Sequence, residues 1–230
     1  MPEMMEIYKH HADQYDALVN AEDYQQNLTR FIRELMDWNG LSVYEAGIGT
    51  GRLTRQIIEQ CAFVYGFDRE QHMLDQCRKN LDPYADKLHL AVAENTALPT
   101  LDQQADVFIE GWSFGHTMGE NCDRIPEVTE LILSNLSRTL KQDAPMIIIE
   151  TLGTHTDSPG VDSPSLNSFY ELLENRHGFK RHTLRTDYSF PTWQEAAKVM
   201  VFFFGDSMGK DITTKKLKII KEFTGVWVRY

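Results

Sequence analysis

The amino-acid sequence predicts an α/β fold built on a parallel, doubly wound sheet. Three observations support this prediction. Apolar stretches of strand length alternate along the chain with amphipathic helical patterns. The run Met146–Glu150 (MIIIE) is the most apolar of these stretches, as expected for a strand buried on both faces. Glycines at 47, 49 and 51 follow the first predicted strand, which is the arrangement of half a nucleotide-binding βαβ unit.

The predicted elements follow one another with few long gaps. Two helices are expected within Pro2–Asn39, and Asn39-Gly40 ends the second. The next expected elements are a strand at 43–46, a helix through Ile57 and Ile58, the strand Phe63–Phe67, the helix Glu70–Asn80, the strands Lys87–Ala93 and Ala105–Glu110, the helix Ile125–Leu140 and the strand Met146–Glu150. The last are a helix from Ser165 to about Arg176, the strand Lys180–Phe190, the helices Trp193–Phe204 and Thr213–Lys221, and the strand Gly225–Tyr230.

Two connecting segments are predicted to face a ligand. Residues 111–123 (GWSFGHTMGENCD) follow a strand and are too rich in glycine and aromatic residues for a simple connector, so we expect a ligand-binding loop. Residues 152–165 contain prolines and glycines and are expected to form either a mobile loop or part of a substrate entrance.

Length and composition limit the classes of protein. With 230 residues, of which 42% are hydrophobic, the chain suits a single domain. The net charge of −11 disfavours nucleic acid as a partner, because that binding needs an excess of lysine and arginine. No segment is apolar enough to span a membrane, and the first residues do not resemble a secretion signal. The three cysteines have no metal-binding or disulfide spacing, so we expect no metal and a cytoplasmic location.

The glycine turn is compatible with two kinds of cofactor. The dinucleotide fingerprint requires glycine or alanine five residues after Gly47, and Arg52 stands there. Asp68, at the end of the second strand, suits the ribose hydroxyls of either kind of nucleoside. The spacing therefore favours a nucleoside cofactor without a pyrophosphate, and a nicotinamide-dependent oxidoreductase is the alternative.

Several segments in this order resemble the class I S-adenosylmethionine-dependent methyltransferases. VYEAGIGTG at 43–51 is similar to motif I of that family, and Asp68 is similar to the acidic end of its second strand. HML at 72–74, AENTALP at 93–99, ADVFIE at 105–110 and RTLKQDAPMIIIE at 138–150 resemble the pieces that follow. The chain departs from the family pattern at Ala144-Pro145, where glycine is common, and at Glu94, where aspartate is usual.

The resemblance implies a seven-stranded, mostly parallel sheet with an antiparallel last strand. It also implies one domain, 1–230, with an N-terminal helical lid at 1–40, a cofactor-binding core at 41–151, and a C-terminal half at 152–230 that carries a cap at about 191–222. The implied cofactor is S-adenosyl-L-methionine. The residues implied to bind it are Tyr15, Glu45, Ala46, Gly47, Gly49, Gly51, Asp68, Met73, Glu94, Asn95 and Glu110.

Each cofactor contact has an implied partner. Glu45 is expected to bind the methionine amino group directly or through water, and Asp68 is expected to hold the ribose. Glu94 and Met73 are expected at the edge and face of the adenine. Carboxylates suit this ligand because it carries both an ammonium and a sulfonium.

Candidate residues for the acceptor side are fewer. His116 is a candidate general base, and Trp112 and Phe114 are expected to wall the site. The alternative is that His116, one of 8 histidines, is simply exposed in a loop. Tyr15 and Tyr8 either fold over the cofactor or pack in the core of an amphipathic helix.

The sequence thus predicts in-line transfer of a methyl group to a small-molecule acceptor. A non-catalytic protein that binds S-adenosylmethionine is a second alternative. The acceptor, the methylated atom and the oligomeric state, for which a homodimer is one option, stay open.

Overall fold

The computed structural model describes residues 11–230, without the side chains of residues 12 and 13. The described helices are α1 (Ala12–Ala21), α2 (Asn27–Leu35), α3 (Gln71–Asn80), α4 (Phe114–Glu120), α5 (Ile125–Thr139), α6 (Pro164–Asn175), α7 (Trp193–Phe204) and α8 (Asp206–Lys215). The strands are β1 (Ser42–Ala46), β2 (Phe63–Asp68), β3 (Leu88–Val92), β4 (Val107–Gly111), β5 (Met146–Thr154), β6 (Lys180–Arg185), β7 (Tyr188–Ser189), β8 (Ile219–Ile220) and β9 (Glu222–Arg229).

Within the described residues, seven strands form the central sheet in the order β3-β2-β1-β4-β5-β9-β6. The pairs from β3 to β5 are parallel, while β9 runs antiparallel to both β5 and β6. The predicted α/β fold with a seven-stranded, mostly parallel sheet and an antiparallel last strand is therefore confirmed. This order places the carboxyl ends of β1, β2, β3 and β4 along one edge of the sheet, where open α/β sheets bind ligands.

Successive residues of the central strands pack on opposite faces of the sheet. On β4, Phe108 belongs to one apolar core and Ile109 to the other. On β5, Ile148 and Ile147 divide in the same way. All four side chains are fully buried, so both faces of the sheet are covered, as the apolar run in β5 predicted.

A third apolar core joins α1 to the segment between β6 and β9. Leu18 of α1 packs there with Tyr188, Met200, Phe203 and Ile212. The segment consists of β7, α7, α8 and β8, and β7 pairs with β8. Helix α1 is thus held against the expected cap region through apolar contacts.

Four predicted elements are wrong in type or position, three of them after residue 110 and one after β1. Residues 111–123 contain the helix α4 instead of a loop, and the helix predicted at Thr213–Lys221 lies earlier, at Asp206–Lys215, followed by the short strand β8. Gly209 lowers the helix propensity of α8, but a Cβ there would lie 2.0 Å from Val201 Cγ2, so glycine allows close packing on α7. The strand predicted over Lys180–Phe190 is divided into β6 and β7.

The helix predicted through Ile57 and Ile58 is replaced by turns around a short 3₁₀ segment, Thr54–Gln56. The amides of Ile57 and Ile58 both donate to the carbonyl of Thr54, at 3.0 and 2.9 Å, so third- and fourth-neighbour bonds are mixed. Both isoleucines are buried, which explains the apolar pattern. Within residues 11–230, no helix is long and apolar enough to cross a membrane.

Candidate functional site

A cleft lies along the edge of the sheet where β1, β2, β3 and β4 end. It is lined by backbone and side chains that follow these strands: Tyr15, Gly47, Gly49, Asp68, Arg69, Glu70, Met73, Glu94, Asn95, Gly111, Trp112, Ser113, His116 and Thr117. Nine of the residues that the sequence assigned to cofactor or acceptor binding are in this group, including Tyr15 of α1.

The glycine turn approaches the cleft through Gly47 and Gly49. Both residues have left-handed backbones, with φ of 60° and 55°. A Cβ at Gly47 would lie 2.2 Å from Ser113 Cβ, whereas a Cβ at Gly49 would have ordinary contacts with Met73 and Tyr15. A side chain at Gly49 would therefore fill space in the cleft itself.

Gly51 has a different role from the other two glycines. A Cβ there would lie 2.7 Å from Leu81 Cδ1 and 3.1 Å from Cys77 Sγ. Gly51 therefore allows the turn to pack closely on α3 and the residue after it, and it does not line the cleft. Ala46, also assigned to the cofactor, is fully buried at the end of β1.

Asp68 connects the glycine turn to the start of α3. Its Oδ2 accepts a hydrogen bond from the amide of Gly49 at 2.9 Å, and its Oδ1 accepts one from the amide of Glu70 at 2.9 Å. Burial raises the pKa of Asp68 to about 6, and the two amide hydrogen bonds oppose that rise. At neutral pH the group is mostly ionised, so it can accept further hydrogen bonds from a ligand's hydroxyl groups.

Met73, Glu94 and Asn95 line the far wall of the cleft. Met73 is buried, with 1% of its surface exposed. Asn95 Nδ2 donates to Thr117 Oγ1 at 3.0 Å and to Ser113 Oγ at 3.2 Å, so it ties the segment after β3 to α4. Glu94 has an exposed side chain and lies 3.6 Å from Arg69 Nε.

Glu45 is buried behind the glycine turn. The hydroxyl of Thr54 donates to its Oε2, and its carboxylate is not among the groups that line the cleft. Burial, together with the nearby charges of Glu110 and Asp68, raises the pKa of Glu45 to about 8. In the structure, this carboxyl group therefore binds Thr54, just after the glycine turn, and does not face the cleft.

Glu110 and Glu150 bind the first amides of α4. Glu110 Oε1 accepts hydrogen bonds from the amides of Ser113 and Phe114, at 2.6 and 2.9 Å, and Glu150 Oε1 accepts from the amide of Gly115 at 2.5 Å. Burial raises the pKa of Glu110 to about 7 and that of Glu150 well above its ordinary value. Carboxyl groups at a helix start satisfy amides that the helix itself leaves unbonded, which explains why a glycine-containing segment is helical here.

Trp112, His116 and Tyr15 stand between the cleft and a second cavity. Burial lowers the pKa of His116, so the imidazole is neutral at about pH 7. Burial raises the pKa of Tyr15 to about 12. Phe114, which the sequence placed beside Trp112 as a wall, is instead fully buried in the core.

The second cavity has a volume of about 250 Å³ and contains both apolar and acidic groups. It is lined by Tyr15, Leu18, Val19, Glu22, Arg52, Trp112, Gly115, His116, Glu150, Thr151, Thr154, Leu166, Tyr188, Phe203, Phe204 and Glu222. These residues come from α1 and the residue after it, the glycine turn, the residue after β4, the start of α4, β5, α6, the cap region and β9. The cavity and the cleft share Tyr15, Trp112 and His116.

Several of these residues were not identified from the sequence. Arg52 was noted only as a departure from the dinucleotide pattern, but its Nη2 lies 2.8 Å from Glu22 Oε1. Glu22, Glu150 and Glu222 come from three distant segments, so no local pattern marks them as neighbours. The predicted Tyr8 lies outside the described residues.

The cleft lies at the carboxyl ends of parallel strands, where open α/β sheets bind ligands, and the second cavity adjoins it. Residues 43–143 match the family model described as a methyltransferase domain. An uncharacterized methyltransferase of Geobacillus sp. (strain WCH70) is 26% identical over 136 residues, which cover 56% of this chain and 62% of that protein. The match thus spans less than two thirds of the relative.

Solved structures agree on the fold. A SAM-dependent methyltransferase from Aquifex aeolicus has a TM-score of 0.58 at 15% identity, covering 96% of this chain and 98% of that one. The [4+2]-cyclase SpnF has a TM-score of 0.55 at 15% identity, covering 88% and 80%. Residues 43–143 are therefore similar to a methyltransferase domain, and the chain as a whole has the fold of these solved structures.

Proposed function

We propose that the chain transfers a methyl group from S-adenosyl-L-methionine to a small-molecule acceptor. The observation that carries this proposal is the pair of adjoining spaces, the cleft and the second cavity, which share Tyr15, Trp112 and His116. Two reactants placed on either side of these residues would be close enough for direct transfer, which is what an in-line displacement requires.

The residues of the cleft suit the cofactor. Asp68 presents a half-buried carboxylate for ribose hydroxyls, and Gly49 leaves open the space that a Cβ would fill. Met73 offers an apolar surface for a base, with Glu94 and Asn95 at its edge. Carboxyl groups predominate among the charged residues of the cleft, which favours a ligand with positive charge.

The other assigned residues would act from behind the cleft. Glu45 supports the glycine turn through Thr54, and Gly51 allows the turn to pack on α3. Glu110 fixes the start of α4, and with it the position of His116. Glu45 could reach a ligand through water only if its bond to Thr54 is rearranged.

When bound, S-adenosyl-L-methionine supplies an electrophilic methyl group on a sulfonium, so the protein's main tasks are alignment and the exclusion of water. Trp112 and Tyr15 would enclose the shared region. His116 would take the proton of an acceptor that must lose one, because burial keeps its imidazole neutral at about pH 7. The acceptor cavity is bounded by the helical lid and the cap, to which we assign the enclosing role.

Two titrations and one turnover assay test this function. Calorimetry should show saturable binding of S-adenosylhomocysteine and no binding of NAD; NAD binding alone would overturn the proposal. Release of S-adenosylhomocysteine from S-adenosylmethionine should then depend on an added acceptor from a panel of small molecules. Cofactor binding without turnover on any acceptor would favour a non-catalytic binding protein, and the cyclase with the same fold shows why turnover has to be measured.

A further inference from the structure

The second cavity contains more acidic than basic groups, and this imbalance indicates what it binds. Among the described residues that line it are three carboxyl groups, Glu22, Glu150 and Glu222, of which 8%, 3% and 2% of the surface is exposed. Arg52 contributes a guanidinium group to the same lining. Three buried carboxyl groups against one guanidinium leave an excess of negative charge when the groups ionise.

Most of these groups already have partners in the protein. Glu22 pairs with Arg52, and Glu150 Oε1 accepts from the amide of Gly115. Glu222 Oε1 accepts from the hydroxyl of Thr151 at 2.9 Å. The guanidinium carbon of Arg52 also lies 3.6 Å from the centroid of the Trp112 ring. Arg52 therefore has both an ion-pair partner, Glu22, and a stacking partner, Trp112.

The second oxygen of Glu222 has no hydrogen-bond partner among the described residues. This atom, Glu222 Oε2, is buried, and Glu222 lines the cavity. A buried carboxylate oxygen without a partner is costly, so the group must either hold a proton or meet a donor from a ligand. Burial, followed by the nearby charge of Glu22, raises the pKa of Glu222 to about 8, while Thr154, Thr151 and Arg52 lower it.

The rest of the lining is apolar and aromatic. Leu18, Leu166 and Phe203 supply aliphatic and aromatic surface, and Trp112 and Tyr188 present ring surfaces. Aromatic faces attract cations, and apolar surface favours a hydrocarbon part of the ligand. The volume of about 250 Å³ is below the roughly 300–1,000 Å³ typical of pockets for drug-sized ligands, so the occupant is small.

We propose that the methyl acceptor is a small organic amine that binds as a cation, with its ammonium group on Glu222 and its hydrocarbon part against the aromatic wall. This proposal rests on the methyl-transfer function proposed above. It concerns binding and leaves open which atom of the acceptor is methylated. An anionic acceptor is disfavoured because Arg52 is already paired with Glu22, and a neutral acceptor would form no ion pair with Glu222.

The binding step can be tested without knowing the natural acceptor. The protein is saturated with S-adenosylhomocysteine, and benzylamine, 2-phenylethylamine and cyclohexylmethylamine are titrated in a calorimeter at about pH 7. Benzyl alcohol and benzoate serve as the neutral and anionic counterparts. Benzylamine or one of the other amines should bind saturably, with an affinity at least about tenfold higher than that of benzyl alcohol. The reason is that the alcohol cannot form a hydrogen bond between charged groups.

The variant Glu222→Gln and a proton count identify the group that binds the amine. Glu222→Gln should weaken amine binding about tenfold or more, while leaving the affinity for benzyl alcohol and for S-adenosylhomocysteine unchanged. The wild type should release protons on binding, measured in two buffers of different ionisation enthalpy, because an ammonium group favours the ionised form of Glu222. Glu171→Gln, an exposed position on α6, is the matched control.

Several outcomes would overturn the amine assignment while the cofactor site stays intact. They are the absence of amine binding, equal or tighter binding of the alcohol or the benzoate, and amine binding that Glu222→Gln does not weaken. The comparison of amine with alcohol uses the wild type, so it holds even if the variant does not fold. Failure of the wild type to bind S-adenosylhomocysteine would instead overturn the proposed function.

Discussion

The guanidinium of Arg52 stacks on Trp112, with its central carbon 3.6 Å from the ring centroid, and the same guanidinium pairs with Glu22 at 2.8 Å. Trp112 has a left-handed backbone, with φ of 57°, which is uncommon for a residue with a large side chain. Arg52 follows the glycine turn, Trp112 follows β4, and Glu22 follows α1. The side chain of Arg52 therefore connects the residue after α1 to the residue after β4.

We expect Arg52→Ala to destabilise the protein and to loosen α1. The change leaves Glu22 buried without its cation, which costs about 3–5 kcal/mol for a buried pair. Thermal or urea unfolding measures the loss. Adding Glu22→Gln should recover part of it, because the unpaired charge is then absent. Arg55→Ala is the control, since Arg55 contacts the exposed Asn20, and a loss as large as that of Arg52→Ala would contradict the prediction.

We expect Asp68→Asn to weaken the binding of S-adenosylhomocysteine by about 10–100-fold. Asp68 accepts from the amides of Gly49 and Glu70, and an asparagine would turn a donor toward one of these amides. Titration calorimetry measures the affinity. Asp75→Asn, an exposed position on α3 that pairs with Arg78, should bind as the wild type does. Unchanged affinity in a folded Asp68→Asn variant would remove Asp68 from the cofactor site.

Glu110 should matter for stability through α4. Glu110→Ala removes the acceptor for the amides of Ser113 and Phe114, so the free energy of unfolding should fall by about 1–3 kcal/mol. Glu110→Gln keeps one acceptor oxygen and should lose less. Hydrogen exchange of residues 112–120 should become faster in the alanine variant. Glu130→Ala, at an exposed position on α5, provides the control, and unchanged exchange in Glu110→Ala would show that the carboxyl group does not hold the helix.

Stability should depend on pH through Glu45. Its pKa is raised from 4.5 to about 8 in the folded protein, so between about pH 5 and pH 8 the folded state binds more protons than the unfolded state. The contribution of this group to stability is therefore full below about pH 4.5 and is lost as the pH rises toward 8. Glu45→Gln cannot ionise, and its Tm relative to the wild type should increase with pH.

The comparison is made on the cofactor-free protein by calorimetric scanning at several pH values. The relative gain between about pH 5 and pH 8 should be at least about 2–4 °C, which corresponds to about 1 kcal/mol for a chain of this size. Glu34→Gln, at an exposed position on α2, should show no such trend. A Tm difference that is constant with pH would mean that Glu45 ionises normally in the folded protein.

The pH dependence of turnover tests His116. Burial lowers the pKa of this imidazole below 6.5, so the rate should rise with pH through a value in that lower range and then level off. His116→Ala should lower the rate about 100-fold or more and remove this limb of the profile. His72→Ala, exposed on α3, is the matched control. An unchanged pH–rate profile in His116→Ala would exclude the general-base role.

The sequence was most informative where buried apolar residues recur at regular spacing within a single strand or helix. The parallel strands β1 to β5, the buried run in β5 and the glycine turn before Asp68 all follow from local patterns, and they lie where they were predicted. Helix α4 was missed because its first amides donate hydrogen bonds to Glu110 and Glu150. Glu150 is 35 residues from Gly115, whose amide it binds. Local propensity at Gly115 and Gly119 favours a loop, and the hydrogen bonds from the first amides to these two carboxyl groups oppose it.

By itself, the sequence predicted the sheet, the edge of the sheet at which the cleft lies and the resemblance to a methyltransferase family. These depend on residue periodicity and on the spacing of Gly47, Gly49 and Asp68, which are properties of short segments. Only the tertiary structure brought Glu22, Glu150 and Glu222 to one cavity and set Arg52 between Glu22 and Trp112. Their proximity depends on how the lid, β5, β9 and the cap pack together, and burial in that packing is also what raises the pKa of Glu150 and Glu222.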